Sequence, residues 1–291
     1  MGNTTSLTDA LERLACRGVY RPPTVGYPRE SCQITTTPEG TDIAMYFHSS
    51  DEHVKRRFYE YKKLDSSRVL VLFSHGNSVD IGGCQDLCEH LSASLDVDIL
   101  TYDYPGYGHS SKCAATERGL SQAIETVYNV CLQKGTDAKQ IVLAGHSLGS
   151  VPTLYLASRC YVSYLGVLLF APLASGCRVA AQNKGYIPEA VLGVLDHMLF
   201  DNLKNIAEVK APVAIVHGTR DTVVSVRQAK MLHMQVPNSL KYAPLYIDTD
   251  HNAVLDCVGK NASEVKTYTG GFLAYLQNDY GTSQYNDLLL Q

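Results

Sequence analysis

The sequence Gly-His-Ser-Leu-Gly at residues 145–149 places a serine two residues from a glycine on either side. It directly follows the apolar run 141–144, which predicts a short buried strand, and it precedes a segment of helical character. A G-x-S-x-G sequence between a strand and a helix is typical of a tight turn that exposes a nucleophilic serine. The two glycines allow strand and helix to approach closely. We therefore predict that Ser147 is a nucleophile.

A serine hydroxyl needs a general base, and a histidine base needs a carboxylate to orient its ring. Asp221 ends the loop after the predicted strand 213–216, and His251 ends the loop after the predicted strand 245–247. Both loops leave the carboxyl ends of strands, at the same edge of the sheet as Ser147. We therefore predict Asp221 as the acid and His251 as the base. Other candidates lie too near His251, in an insertion or on helical sequence: Asp248, Asp250, Asp196, Asp201, His197 and His233.

Two backbone N–H donors must stabilise the oxyanion of a tetrahedral intermediate. The first predicted donor is Leu148, which follows the nucleophile. The second is Asn77, in the sequence Ser-His-Gly-Asn-Ser at residues 74–78 after the third strand. There His75-Gly76 looks like the HG motif of α/β-hydrolases, and we expect His75 to support the loop.

Two further polar residues near these motifs are expected to be structural. His217 precedes Gly218 on the loop that carries Asp221. Asp103 lies in the glycine-rich sequence 102–108, which lacks the third glycine of G-x-G-x-x-G and is not followed at once by a helix. We therefore interpret 102–108 as a turn beside the site, with Asp103 binding backbone, and not as a phosphate loop.

The elements that must position these residues alternate along the chain. A predicted hairpin around Pro38-Glu39-Gly40 comes first, followed by a polar segment, 51–64, that we interpret as a loop or surface excursion. Strands and helices then alternate, which predicts right-handed βαβ units. With the chain order Ser, Asp, His, this predicts an α/β-hydrolase fold: a mostly parallel, doubly wound sheet of about eight strands, helices on both faces, and a small cap at 173–208. Predicted strands are 34–36, 43–47, 69–73, 97–102, 140–144, 165–170, 213–216 and 245–247, and the main predicted helices are 80–94, 115–133 and 148–160.

Composition excludes several classes of protein. The 291 residues are 45% hydrophobic, and 25 Lys+Arg against 29 Asp+Glu give a net charge of −4. These values are typical of a folded domain and argue against nucleic acid as a partner. No apolar run approaches the length of a spanning helix. Nine cysteines without a CxxC motif indicate neither a disulfide framework nor a metal site, and they fit reduced thiols in the cytoplasm.

The first residues match M-G-x-x-x-[ST], the pattern for N-myristoylation of Gly2. Leucines at helical spacing follow within residues 7–15, and Cys16 comes next. One myristoyl chain binds membranes only marginally, so a second signal is needed. S-acylation of Cys16 would supply it, while the alternative is that Cys16 packs within a short docked helix. We therefore interpret 1–30 as a lipid-anchor or amphipathic tail and 31–291 as the hydrolase domain.

Taken together, these motifs resemble the alpha/beta hydrolase domain-containing protein 17 family. The resemblance covers most of 31–278 and includes segments beyond the general hydrolase motif. Its residues are SHGNSVDIG at 74–82, YDYPGYG at 102–108, GHSLGSVPT at 145–153, ASR at 157–159, APLASGCRV at 171–179 and HGTRD at 217–221.

That family consists of membrane-attached serine hydrolases that remove palmitate from protein cysteines. The resemblance implies Ser147 as nucleophile, Asp221 as acid, His251 as base, and no cofactor or metal. It implies S-acylated proteins as substrates, at the cytoplasmic face of membranes. Two departures stand out: the family's N-terminal cysteine cluster is reduced to Cys16, and His146 stands where the family usually has Gln. The first puts the mode of membrane attachment in question, and the second the substrate.

Three functions are compatible with the sequence. The first is an acyl-protein thioesterase. The second is a lipid esterase, such as a monoacylglycerol or lysophospholipid hydrolase, because the same triad and an apolar acyl pocket would serve both. The third is a catalytically silent binding protein on the same fold. Cap residues Met198, Leu199 and Phe200 either line an acyl pocket or belong to the core.

Overall fold

A central β-sheet organises the computed structural model, which describes residues 19–60, 62–64, 68–182, 187–255 and 263–280. The strands are β1 (Gln33–Thr36), β2 (Asp42–His48), β3 (Leu70–Ser74), β4 (Asp98–Tyr102), β5 (Ile141–His146), β6 (Gly166–Phe170), β7 (Val213–Gly218) and β8 (Leu245–Ile247). Within the described residues they form one eight-stranded sheet in the order β1-β2-β4-β3-β5-β6-β7-β8. β1 and β2 form the predicted antiparallel hairpin, β2 pairs antiparallel with β4, and the other pairs are parallel.

Helices connect the strands and cover both faces of the sheet. They are α1 (Glu52–Tyr59), α2 (Gln85–Leu95), α3 (Glu117–Gln133), α4 (Ser150–Ala157), α5 (Gly176–Ala181), α6 (Glu189–Leu195), α7 (Asn202–Ala207), α8 (Val226–Gln235) and α9 (Ser263–Tyr275). This architecture confirms the predicted α/β-hydrolase fold. None of the helices in the described ranges is long and apolar enough to cross a bilayer.

The continuous apolar strands are buried on both faces, as parallel strands require. In β3, Leu70 and Leu72 belong to one apolar cluster, while Val71 and Phe73 belong to a second cluster on the other face. The alternation follows from the two-residue period of a strand. The helices bury matching stripes, as in α3, where Leu120, Ile124 and Val127 are fully buried.

One predicted loop is a helix. Within 51–64, α1 begins after Asp51, whose side chain accepts hydrogen bonds from the N–H groups of His53 and Val54. Val54 and Phe58, four residues apart, are buried, and the Phe58 ring stacks on Phe47 at 4.3 Å between centroids. The loop prediction was wrong because most of the segment is charged. Its N-cap and its two apolar residues at i, i+4 spacing are the helical signal.

The insertion between β6 and β7 contains α5, α6 and α7, in the region predicted as a small cap. Val19 and Tyr20, the first two described residues, are partly buried against the apolar cluster that contains Leu70 and Leu72. Gly2 and Cys16, the predicted acylation sites, lie outside the described residues.

Candidate active site

Ser147 lies in a strained turn at the carboxyl end of β5. Its φ is 51°, which lies in the left-handed region of backbone conformation. This region is unfavourable for residues other than glycine. The flanking glycines make the turn possible. A Cβ on Gly145 would lie 2.5 Å from the Gly149 carbonyl oxygen, and one on Gly149 would lie 2.0 Å from the Ser74 carbonyl oxygen. The sequence motif therefore corresponds to a real close approach of two strands and a helix, which fixes the serine in place.

The structure brings the three predicted triad residues into one hydrogen-bonded chain. The distance from His251 Nε2 to Ser147 Oγ is 2.8 Å, and that from His251 Nδ1 to Asp221 Oδ2 is 2.6 Å. All three residues are at least nine-tenths buried. With Nδ1 donating to the carboxylate, Nε2 is the acceptor that can take the serine proton. The three residues thus make the hydrogen bonds that the predicted roles of nucleophile, general base and orienting acid require.

Asp221 is held by several donors. Its Oδ1 accepts from the N–H groups of Val223 and Val224, each at 2.8 Å, while its Oδ2 faces His251. Burial alone would raise the pKa of Asp221, but hydrogen bonds from His217, His251 and the Val224 N–H outweigh burial and lower this pKa below its ordinary value. The carboxylate is therefore ionised throughout the neutral range and can stabilise a positive charge on His251.

His217 touches the acid, a contact that the sequence reading did not assign. It is fully buried, with Nε2 3.2 Å from Asp221 Oδ2 and 2.8 Å from the Val224 carbonyl oxygen. Both partners are acceptors, so Nε2 carries the proton. Its position four residues before Asp221, at the end of β7, was the available signal. His217 is therefore a positioning residue for the carboxylate.

His146, next to the nucleophile, lies against the base. Its ring centroid is 5.1 Å from that of His251, and its Nε2 is 3.3 Å from the His251 carbonyl oxygen. Burial lowers the pKa of His146 to about 3. It is therefore neutral at physiological pH, so it places no second positive charge beside the imidazolium that His251 would form as a general base.

The loop with the predicted oxyanion donor Asn77 lies beside the nucleophile turn. Ser74, the last residue of β3, pairs in register with Gly145 of β5, so the chain after each strand continues at adjacent positions. A Cβ on Gly76 would lie 2.9 Å from His146 Nδ1. The backbone N–H groups of Asn77 and Leu148 therefore belong to neighbouring turns, and their role as oxyanion donors remains a prediction.

Two tyrosines of the 102–108 turn fix this loop. Tyr104 Oη donates to the His75 carbonyl oxygen, and Tyr107 Oη donates to Asn77 Oδ1, both at 2.6 Å. His75 Nε2 lies 3.2 Å from Asp103 Oδ1, and this oxygen accepts a hydrogen bond from the Ile81 N–H at 3.0 Å. The structure thus confirms that His75 supports the loop and that Asp103 binds backbone. The tyrosines gave no sequence signal beyond their place in the turn.

The Asn77 side chain also binds the N-terminal segment Val19–Arg21. Its Oδ1 accepts from the Arg21 N–H at 2.9 Å, and its Nδ2 donates to the Val19 carbonyl oxygen at 2.6 Å. Tyr20, between them, packs edge-on against Phe200 at 6.0 Å between ring centroids. The segment therefore connects the loop that carries Asn77 to the cap.

The three cap residues considered for an acyl pocket separate in the structure. Phe200 is buried in the apolar cluster that contains Leu70 and Leu72, and Leu199 packs partly buried against it. Leu199 also lies so close to Gly176 that a side chain there would collide with it. Met198 instead faces solvent. Phe200 and Leu199 thus serve the core, and Met198 does not.

Comparison with known proteins agrees with this architecture. The Hydrolase_4 family model, described as serine aminopeptidase S33, matches residues 65–201. The esterase Pf2001 of Pyrococcus furiosus aligns with a TM-score of 0.64 at 17% identity, covering 87% of this chain and 98% of the esterase. At this identity the likeness shows the fold.

Two curated relatives carry the same family name. Alpha/beta hydrolase domain-containing protein 17C of Xenopus tropicalis is 35% identical over 192 residues, 65% of this chain. The chain spans only 57% of the length of that relative. Alpha/beta hydrolase domain-containing protein 17B of Homo sapiens is 30% identical over 249 residues, which are 84% of this chain and 77% of the relative.

Proposed function

Because the chain belongs to the alpha/beta hydrolase domain-containing protein 17 family, we propose that it is a serine hydrolase that cleaves fatty-acyl thioesters on cysteines of membrane-associated proteins. The observation that carries the proposal is the chain of hydrogen bonds from Asp221 through His251 to Ser147. The thioester preference is what the sequence resemblance implies. The proposal includes attachment to the membrane surface through acylation at Gly2 and Cys16.

The first half-reaction transfers the acyl group to the enzyme. Ser147 Oγ attacks the thioester carbonyl carbon while His251 Nε2 takes the hydroxyl proton. The N–H groups of Asn77 and Leu148 stabilise the oxyanion that forms. The C–S bond then breaks, and the cysteine sulfur leaves with the proton that His251 returns. An acyl-enzyme on Ser147 remains.

The second half-reaction releases the fatty acid. A water molecule attacks the acyl-enzyme carbonyl as His251 Nε2 accepts one of its protons. The tetrahedral intermediate collapses, the ester bond to Ser147 Oγ breaks, and the serine regains its proton from His251. Asp221 stabilises the imidazolium in both halves. The protein supplies every group that moves a proton.

The test compares the purified chain with Ser147→Ala on a palmitoyl-peptide thioester and on a monoacylglycerol with the same acyl chain. We expect the wild type to prefer the thioester, and Ser147→Ala to lose roughly a thousandfold or more in turnover. A Ser147-dependent preference for the glyceride would assign the protein to lipid hydrolysis. Unchanged turnover in Ser147→Ala would remove Ser147 as the nucleophile, and no turnover of either substrate would favour a binding protein.

A further inference from the structure

The side chain of Ser150, the first residue of α4, makes a hydrogen bond back to the nucleophile turn. Ser150 is fully buried, and its Oγ donates to the Ser147 carbonyl oxygen at 2.6 Å. The same carbonyl oxygen also accepts from the Ser150 backbone N–H. The carbonyl of the predicted nucleophile is thus held from inside the domain by two donors of one residue, and the chemistry of the triad requires neither.

Two donors from other segments fix the Ser150 hydroxyl. The Leu173 N–H, in the loop after β6, lies 3.3 Å from Ser150 Oγ, and Nδ2 of the fully buried Asn202, in α7 of the cap, lies 3.2 Å from it. Asn202 Nδ2 also donates to the Leu173 carbonyl oxygen at 2.9 Å, so the amide nitrogen and not the amide oxygen faces this pair. A hydroxyl has one proton and two acceptor positions. Since both acceptor positions are occupied, the proton must point to Ser147.

The Ser147 carbonyl and the Leu148 N–H belong to one peptide group, which is trans. A trans peptide group is planar, so its C=O and its N–H point in opposite directions and turn together. The Leu148 N–H is one of the two predicted oxyanion donors. A hydrogen bond that fixes the carbonyl from inside therefore also fixes the direction of this N–H. It polarises the peptide group as well, which makes the N–H a stronger donor.

The backbone is strained in all three segments that meet at this hydroxyl. Ser147, Ala171 and Phe200 have φ values of 51°, 44° and 56°, in the left-handed region that residues other than glycine rarely adopt. Ala171 lies two residues before Leu173, and Phe200 lies two residues before Asn202. Strained backbone persists only where surrounding contacts over-determine it, and it is concentrated at functional sites. The hydrogen bonds of one hydroxyl connect the three strained turns.

We propose that Ser150 and Asn202 are positioning residues that aim the Leu148 N–H at the oxyanion. The inference rests on the proposed function, since it concerns the tetrahedral intermediates of the same reaction. Ser150 acts through the Ser147 peptide group, and Asn202 acts through Ser150, so neither side chain touches the substrate. The cap thereby contributes to catalysis through α7, from behind the nucleophile turn.

A second serine–asparagine pair between the same two helices provides matched controls. Ser158 directly follows α4, and its Oγ donates to the Tyr155 carbonyl oxygen, three residues back, at 2.8 Å. The same Oγ lies 3.3 Å from Asn205 Oδ1 of α7. This pair repeats the serine–asparagine contact of Ser150 and Asn202 at the end of α4 that is farther from the nucleophile. Its removal should therefore leave the nucleophile turn unchanged.

The test measures hydrolysis of p-nitrophenyl butyrate and of its thiono analogue, in which sulfur replaces the carbonyl oxygen. Sulfur accepts hydrogen bonds weakly, so the rate on the thiono ester depends little on the oxyanion donors. The ratio of the rate on the oxygen ester to that on the thiono ester therefore reports oxyanion stabilisation. Both rates scale with the fraction of folded enzyme, so the ratio does not depend on that fraction.

We expect Ser150→Ala to lower kcat on the oxygen ester roughly tenfold with little change in KM, between the cost of one neutral hydrogen bond and that of a whole oxyanion donor. The ratio of the two rates should fall by the same factor. Asn202→Ala should lower both kcat and the ratio roughly threefold, because the hydroxyl can then rotate but remains next to its carbonyl. The controls Ser158→Ala and Asn205→Ala should match the wild type.

An unchanged ratio in both Ser150→Ala and Asn202→Ala, with the rates on the two esters falling together, would overturn the inference and leave these residues a role in folding alone. Equal changes of the ratio in the control variants would overturn it as well. If the wild type lacks Ser147-dependent hydrolysis of any ester or thioester, the proposed function fails and this inference fails with it. If hydrolysis depends on Ser147 but the ratio is the same in all variants, only the positioning role fails.

Discussion

At the scale of single residues, the site is organised around the carboxylate of Asp221. Four groups face it: the N–H groups of Val223 and Val224, and the rings of His217 and His251. Each fixes the carboxylate before substrate arrives, so little reorganisation is needed when His251 becomes charged. His217 is the donor that the chemistry of a triad does not require, and its removal tests how much this positioning contributes.

We expect His217→Leu to lower kcat roughly tenfold to a hundredfold with little change in KM. The reason is the loss of a hydrogen bond to a charged group, worth about 1.5–3 kcal/mol, which matters most when His251 is positively charged. His217→Gln retains an N–H donor and should recover part of the loss. The measurement is steady-state kinetics normalised by titration of reactive Ser147. A fall only in the titrated fraction, with kcat per active site unchanged, would mean that His217 serves folding alone.

At the scale of elements, the short segment Val19–Arg21 helps to hold the loop that carries Asn77. Asn77 accepts from Tyr107 and from the Arg21 N–H, and it donates to Val19. The predicted oxyanion donor is the backbone N–H of this same residue. Anything that displaces the segment therefore acts on the loop through one side chain.

Arg21→Pro should lower kcat about twofold to tenfold relative to Arg21→Ala, because proline removes the N–H that Asn77 Oδ1 accepts and a neutral hydrogen bond is worth about 0.5–1.5 kcal/mol. Arg21→Ala keeps that N–H while removing the same side chain, and it is the matched control. Kinetics on a short water-soluble ester measure the effect without a membrane. Identical kcat values for the two variants would show that the hydrogen bond from the Arg21 N–H to Asn77 does not affect catalysis.

At the scale of the whole molecule, two histidines are buried in neutral form. Burial lowers the pKa of both His48, in β2, and His146 to about 3. In the unfolded chain each would titrate near its ordinary value of about 6.5. The unfolded state therefore binds more protons than the folded state between these values, so their contribution to stability is complete above about pH 6.5 and is lost as pH falls toward about 3.

We expect His146→Gln to flatten the dependence of unfolding free energy on pH between 7 and 5. Over this range one such histidine accounts for a loss of about 2 kcal/mol in the wild type, at about 1.4 kcal/mol per pH unit below its unfolded pKa. Asp221 does not contribute there, because its stabilising effect is lost only below the ordinary pKa of a carboxyl, about 3.9. Urea denaturation at each pH gives the comparison. If the unfolding free energy of the wild type and that of His146→Gln changed in parallel with pH, the assignment of His146 as a buried neutral residue would be contradicted.

The sequence by itself determined the fold and the three residues of the triad. Apolar strands, turn glycines and the chain order Ser147, Asp221, His251 are local features, and strand ends on one edge of a parallel sheet must meet. The fold prediction is confirmed, and the three residues lie within hydrogen-bonding distance in the structure. Their catalytic roles remain predictions for the experiment on Ser147.

The tertiary structure alone decided which distant groups surround the triad and which surfaces stay outside. The contact of His146 with His251 joins residues 105 positions apart, and that of Asn77 with Val19 joins residues 58 apart. No local pattern encodes such pairings, because they depend on how whole elements pack. The exposure of Val191, Val194 and Met198 in the cap has the same origin, because it depends on how α6 packs on the domain, where Arg178 binds Asp196 and Glu189.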